Sequence, residues 1–218
     1  AGLPSSASHI TSAIDTLTLT GYAQADLNRY RVGVAERHGE SVLLTDEFRD
    51  QYANSETLQE AVSDLIRTGK ELTQDRYDAH LPFTPGMQYS RRDAAHIVGW
   101  PRAFSSTIYG YKTDEASGVC AIFVTLHKSS EVDASTAYED QLLDSSTMRW
   151  FSRSRRTLES KEVSLVVDGS VQVHVFVKKD DAEGSDHYYL GLATAHDAEE
   201  TTMPDGNGDP LSVVTMLL

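Results

Sequence analysis

The rhythm of apolar and polar positions changes near Pro85. Before it, apolar side chains are sparse and recur at helical spacing, most clearly at Leu58, Val62, Leu65 and Ile66. Asn54-Ser55-Glu56 supplies a cap and an early acid ahead of that face, and Gly69 is expected to end the helix. The span from Tyr22 to Glu40 is expected to be mostly helical, behind a Ser/Thr/Ala-rich start that should fray. Leu81-Pro82-Phe83-Thr84-Pro85-Gly86 is a turn-rich break.

Beyond the break, Ser90-Arg91-Arg92-Asp93 has the spacing of a capping box, predicting a short helix through Val98 closed by Gly99. The continuous apolar run Val119 to Leu126 predicts a strand buried on both faces. Val163 to Val167 and Val171 to Val177 flank Asp168-Gly169-Ser170, which predicts a hairpin. In its second arm Val171, Val173, Val175 and Val177 share one face, and Gln172, His174, Phe176 and Lys178 the other. His187 to Ala195 predicts a further strand. Asp197 to Pro210 is expected to be an acidic loop, and Leu211 to Leu218 a last edge strand. The predicted class is therefore α+β: a small helical unit over residues 1–84, then a mixed β-barrel-like domain over residues 85–218.

Composition narrows the picture. With 39% hydrophobic and 24% charged residues the chain reads as a globular protein. No apolar run approaches the ~20 residues that span a bilayer, no leader is visible, and a membrane partner is not expected. The first residue is Ala1, which suggests processing or a longer parent chain. The single Cys120 sits in an apolar run and fits a buried thiol in a reducing, bacterial cytoplasm. A net charge of -14 argues against a protein that grips many phosphates. The acid is concentrated at the two ends, however, and the middle is close to neutral, with a local basic run.

That run is Tyr138 to Arg156, where Trp150 and Phe151 lie beside Arg149, Arg153, Arg155 and Arg156. Rings beside guanidinium groups suit a base and its phosphates. Tyr109-Gly110-Tyr111-Lys112 offers a second pair of rings with a following cation. No phosphate loop, dinucleotide fingerprint, nucleophile elbow or paired-His metal site is present. One nuclease-like pattern remains, Asp144 with Glu159-Ser160-Lys161, in which two carboxylates would hold magnesium beside a lysine.

Taken in order, Tyr89-Ser90-Arg91-Arg92-Asp93, Gly110-Tyr111-Lys112, Ile122 to Lys128, Tyr138-Glu139-Asp140, Trp150-Phe151-Ser152-Arg153, Val175 to Lys179 and Tyr189-Leu190-Gly191 resemble the domain-of-unknown-function family 3427. The resemblance covers roughly residues 85–195. It departs from the family at Arg153, where Gln is common after W-x-S.

The resemblance implies an SRA-like or PUA-like recognition module. Such modules stand at the C-terminal end of superfamily II helicases and of helicase–nuclease chains that act as type IV restriction enzymes. It implies no catalysis and no cofactor for this chain itself, with ATP and magnesium serving the parent. The implied partners are double-stranded DNA carrying 5-methyl- or 5-hydroxymethylcytosine, and the parent's own helicase and nuclease domains. The expected mechanism is extrusion of the modified base into an aromatic pocket. Trp150, Tyr111 and Tyr89 are the candidate stacking rings, and Asp140 or Ser152 the candidate contacts to the base edge. Arg91, Lys112, Lys128, Arg153, Arg155 and Arg156 are the candidate phosphate contacts. The alternatives are a magnesium-dependent nuclease using Asp144, Glu159 and Lys161, and a protein-interaction module that regulates a helicase motor.

Overall fold

A computed structural model describes residues 7–76, 82–127, 140–205 and 207–218. The chain forms two compact units, one of residues 1–84 with 95–106, the other of residues 85–94 with 107–218.

The first unit carries α1 (Ala7–Thr18), α2 (Gln24–Tyr30), a hairpin of β1 (Ala35–His38) and β2 (Ser41–Leu44), α3 (Asp46–Asn54) and α4 (Glu56–Arg76). Of the stretch from Tyr22 to Glu40 that was expected to be mostly helical, α2 is helix and β1 is strand. Thr45 caps α3 by accepting the Phe48 N–H, and Ser55 caps α4 by accepting the Leu58 N–H at 3.2 Å. Gly69 does not end α4, which runs on to Arg76. A lone glycine inside a helix costs only about 1 kcal/mol, less than the surrounding good helix formers return. Of the expected apolar face, Leu58 and Val62 are half-buried, whereas Leu65 and Ile66 are exposed.

The second unit contains β3 (Gln88–Tyr89), the first residues of α5 (Arg91–Ile97), β4 (Tyr111–Asp114), β5 (Val119–His127), β6 (Gln141–Leu142) and β7 (Met148–Phe151). It continues with α6 (Lys161–Val167), β8 (Gln172–Asp180), β9 (His187–Ala193), β10 (His196–Pro204) and β11 (Pro210–Leu217). The predicted capping box is present. The Ser90 N–H donates to Asp93 Oδ2 at 3.2 Å, and the Asp93 N–H to Ser90 Oγ at 3.0 Å.

Two sheets share one core. A five-stranded sheet runs β3-β9-β8-β5-β4, and a four-stranded antiparallel sheet runs β10-β11-β7-β6. Within the first, β5 and β8 are parallel neighbours, Ile122 opposite Val175 and Val124 opposite Val177. Between the sheets Ile122, Val124, Val173 and Val175 meet Met148, Trp150, Val214 and Met216. This is the α+β, barrel-like architecture that the alternating patterns predict.

Three details differ from the sequence expectation. Residues 161–167 form the helix α6, not a hairpin arm. Val163 and Val166 are buried at helical spacing, and Gly169 at φ +73° follows the helix end, its N–H bonded to the Val166 carbonyl. The Asp-Gly-Ser signal thus serves as a helix stop. The expected acidic loop at 197–210 is largely the strand β10, whose polar residues are recruited by pairing with the apolar β11. β11 itself is interior to its sheet, between β10 and β7.

Candidate nucleic-acid interface

A carboxylate in the second unit gathers the basic residues that follow β7. Glu162, in the first turn of α6, accepts from the Tyr111 hydroxyl at 2.7 Å, from Arg153 Nη2 at 2.7 Å and from Arg156 Nε. The Arg153 guanidinium also lies 4.6 Å from the centre of the Tyr111 ring. Burial works to raise the Glu162 carboxyl, but the hydrogen bonds from Arg156, Tyr111 and Arg153 outweigh it and hold the group below the usual carboxylate range. Burial, then the bond to Glu162, pushes the Tyr111 phenol well above its ordinary value. Burial, with the Glu162 charge adding to it, pushes the neighbouring Cys120 thiol up to about 12, which leaves it an inert core side chain.

This network sets where the sequence-predicted residues stand. The five residues expected to receive the base are all buried. Trp150 and Tyr111 are 3% and 2% exposed and pack on one another. Tyr89 is fully buried on the opposite face of the five-stranded sheet, edge-on to Phe176 and Tyr189. Asp140 accepts the Phe151 N–H at 3.0 Å. Ser152 Oγ accepts the Val214 N–H at 2.8 Å and donates to the Arg153 carbonyl, tying the end of β7 to β11. As placed, these rings offer no open face to a base: Trp150 and Tyr111 fill the space between the sheets, and Tyr89 is packed beneath Phe176 and Tyr189 on the other face.

The expected phosphate contacts divide three ways. Arg153 and Arg156 are engaged by Glu162. The Arg91 guanidinium lies over the Phe123 ring at 5.6 Å, and Lys112 Nζ donates to Thr107 at 3.1 Å. Arg155 is exposed and turned outward by a left-handed backbone, φ +62°, with its N–H on the Ser212 carbonyl. Lys128 lies outside the described residues. The nuclease-like set is divided as well. Asp144 folds onto its own turn by accepting from Ser146, and Lys161 pairs with Glu115 at 2.5 Å. Among the described residues no group of three or more His, Cys, Asp or Glu could hold a metal ion. No described helix is long and apolar enough to cross a membrane.

The open space lies elsewhere. A cleft of about 690 Å³ opens where the β6–β7 turn faces the β9–β10 turn. Its apolar walls include Leu142, Val175, Leu190 and Leu192. Polar groups come from Ser146 and Thr147 on one side, and from Thr194, His196 and Asp197 on the other. That volume falls within the ~300–1,000 Å³ of small-ligand pockets, and apolar walls with a few placed polar groups are their usual chemistry. The small side chain of Ala193, packed on the core, is part of the cleft lining. Arg149 follows the lining residue Met148 along β7 and is exposed and without a partner among the described residues, in register between Gln141 and Leu217.

A family model for the domain of unknown function DUF3427 matches residues 83–218, more than half of the chain. The chain belongs to the DUF3427 family. A second domain of unknown function, DUF8090, matches residues 1–78. No curated protein matches the chain. One similar solved structure is the sulfur binding domain and SRA domain of ScoMcrA complexed with phosphorothioated DNA, with TM-score 0.38 and 10% identity over 62% of this chain and 38% of that one. Another is Arabidopsis thaliana SUVH6 in complex with SAM, with TM-score 0.39 and 14% identity over 97% of this chain and 39% of that one. The chain thus spans about two-fifths of the length of these solved chains.

The cleft and the Glu162 network both lie in the DUF3427 domain. Sequence reasoning missed Leu190, Leu192, Thr194, His196 and Asp197 as site residues. Strict alternation along 187–193 misleads here, because β9 bulges where its register shifts between Val175 and Phe176 of β8, leaving Gly191 opposite Val175 and Leu192 opposite His174.

Proposed function

We propose that this DUF3427 domain reads a modified base in double-stranded DNA and has no catalytic activity of its own. The observation that carries the reading is the cleft between the two sheets. It is large enough for one nucleobase, walled by leucines and edged by hydroxyls, a histidine and a carboxylate. Family membership supports the reading through the SRA-like character that the sequence resemblance implies.

In the finer form of the proposal, a 5-methyl- or 5-hydroxymethylcytosine leaves the stack and enters the cleft. Extrusion costs a few kcal/mol, which contacts in the cleft must return. A buried methyl group adds only about 0.8 kcal/mol, so discrimination depends on a close fit to the leucine walls. A hydroxymethyl group would instead find Ser146 or Thr194. Arg149 and Arg155, exposed and unpaired among the described residues, would meet phosphates. The acidic surface keeps non-specific affinity low, which suits a module delivered to DNA by a motor. In the same proposal the parent is a helicase or helicase–nuclease of the type IV restriction kind, in a bacterial cytoplasm, and this chain needs no cofactor.

The test is fluorescence anisotropy of the whole chain with short duplexes carrying cytosine, 5-methylcytosine, 5-hydroxymethylcytosine or N6-methyladenine at one site, at low and moderate salt. Preference for one modified duplex, lost on substituting Leu190 and Leu192 by Glu, is the expected result. Equal affinity for all duplexes, or none at low salt, rejects the proposal.

A further inference from the structure

One residue of the cleft departs from regular strand geometry. β10 opens with a register shift between His196, opposite Leu217, and Glu199, opposite Thr215. Within that bulge Asp197 has a left-handed backbone, φ +50°. Bulges re-aim side chains beside functional sites, and left-handed non-glycine residues gather there too. Asp197 lines the cleft, is exposed, and its carboxylate has no hydrogen-bond or ion-pair partner among the described residues. Its neighbour His196 is engaged, with Nε2 3.0 Å from Thr194 Oγ1. Asp140, the carboxylate that sequence alone favoured, is spent on the Phe151 N–H.

A carboxylate is an acceptor only. At the edge of a cleft walled by leucines it selects a flat apolar ligand that carries an amino group, and it repels a carbonyl oxygen presented at the same place. Cytosine N4 and adenine N6 are exocyclic amines at the position where thymine presents O4 and guanine O6, both acceptors. We infer that Asp197 is the residue that reads the exocyclic amine of a base held in the cleft. The inference rests on the proposed reader function and adds to it the group that discriminates amine from carbonyl.

The Asp197→Asn variant tests it. Asn tolerates the left-handed conformation as Asp does, so the bulge is preserved. The amide can donate where the carboxylate could only accept. Anisotropy would be measured with duplexes matched in sequence, carrying 5-methylcytosine, N6-methyladenine, or thymine in a T·G mismatch, at one site. The 5-methylcytosine and N6-methyladenine arms separate the two sources of the amine. Expected is a loss of about ten- to a hundredfold for the preferred amine-bearing duplex, in line with the ~1–3 kcal/mol of one good base contact, together with a gain for the thymine duplex. Asp197→Gly, which keeps the backbone and removes the side chain, should lose the first without gaining the second. Wild-type affinity of Asp197→Gly for the amine-bearing duplex would overturn the assignment and leave the reader function standing. A wild-type protein that does not distinguish modified from unmodified duplex would overturn both.

Discussion

The indole of Trp150 meets the ring of Tyr111 edge-to-face, with centroids 4.9 Å apart and planes at 83°. The two rings come from different sheets and close the core between them. Trp150→Ala is therefore expected to cost ~3–5 kcal/mol of stability, as for a large aromatic removed from a packed interior. The shift in the urea midpoint checks it. A Trp150→Ala protein that loses DNA binding while keeping the wild-type midpoint would contradict the packing role.

Glu162 holds Tyr111, Arg153 and Arg156 together at 25% side-chain exposure. Removing it leaves two cations without their partner. Glu162→Ala should lower stability by ~1–3 kcal/mol, below the cost for a fully buried pair because water reaches the site. Denaturation at low and high salt measures this. Tyr111→Phe, which removes one of the donors, should cost less than Glu162→Ala.

Acid should weaken the fold through two histidines. His174 and His187 are fully buried, and burial lowers both from an ordinary 6.5 to about 4, with Arg91 and Lys178 adding to the effect at His187. Between those values the unfolded chain binds protons that the native chain does not. Stability is thus complete above about pH 6.5 and falls as the pH drops towards 4, by at most ~3 kcal/mol per histidine. Thermal midpoints from pH 7.5 to 4.5 test the sign. His174→Gln should flatten the slope if it folds, and a midpoint constant across that range would refute the assignment.

Under the proposed function, Arg149 and Arg155 are phosphate contacts and carry no base information. Arg149→Ala should weaken binding to modified and unmodified duplexes alike and reduce the slope of log affinity against log salt by about 1. Loss confined to the modified duplex would instead place Arg149 at the base.

Local patterns settled much of this architecture. The reciprocal bonds of Ser90 and Asp93, the doubly buried run of β5 and the valine face of β8 follow from the sequence, because each depends on neighbours a few residues away. The order of short motifs from Tyr89 to Gly191 pointed to the family for the same reason. What sequence could not determine was which polar and aromatic residues would remain available. Trp150 and Tyr111 meet across two sheets and are consumed by the core. Arg153 and Arg156 are taken up by Glu162, because an apparent hairpin arm is instead the helix α6, with Glu162 in its first turn. Asp197 reaches the cleft only because β10 pairs with β11 and bulges at its first residues. Those outcomes depend on how the chain folds back on itself in three dimensions, and they decide where a ligand can enter.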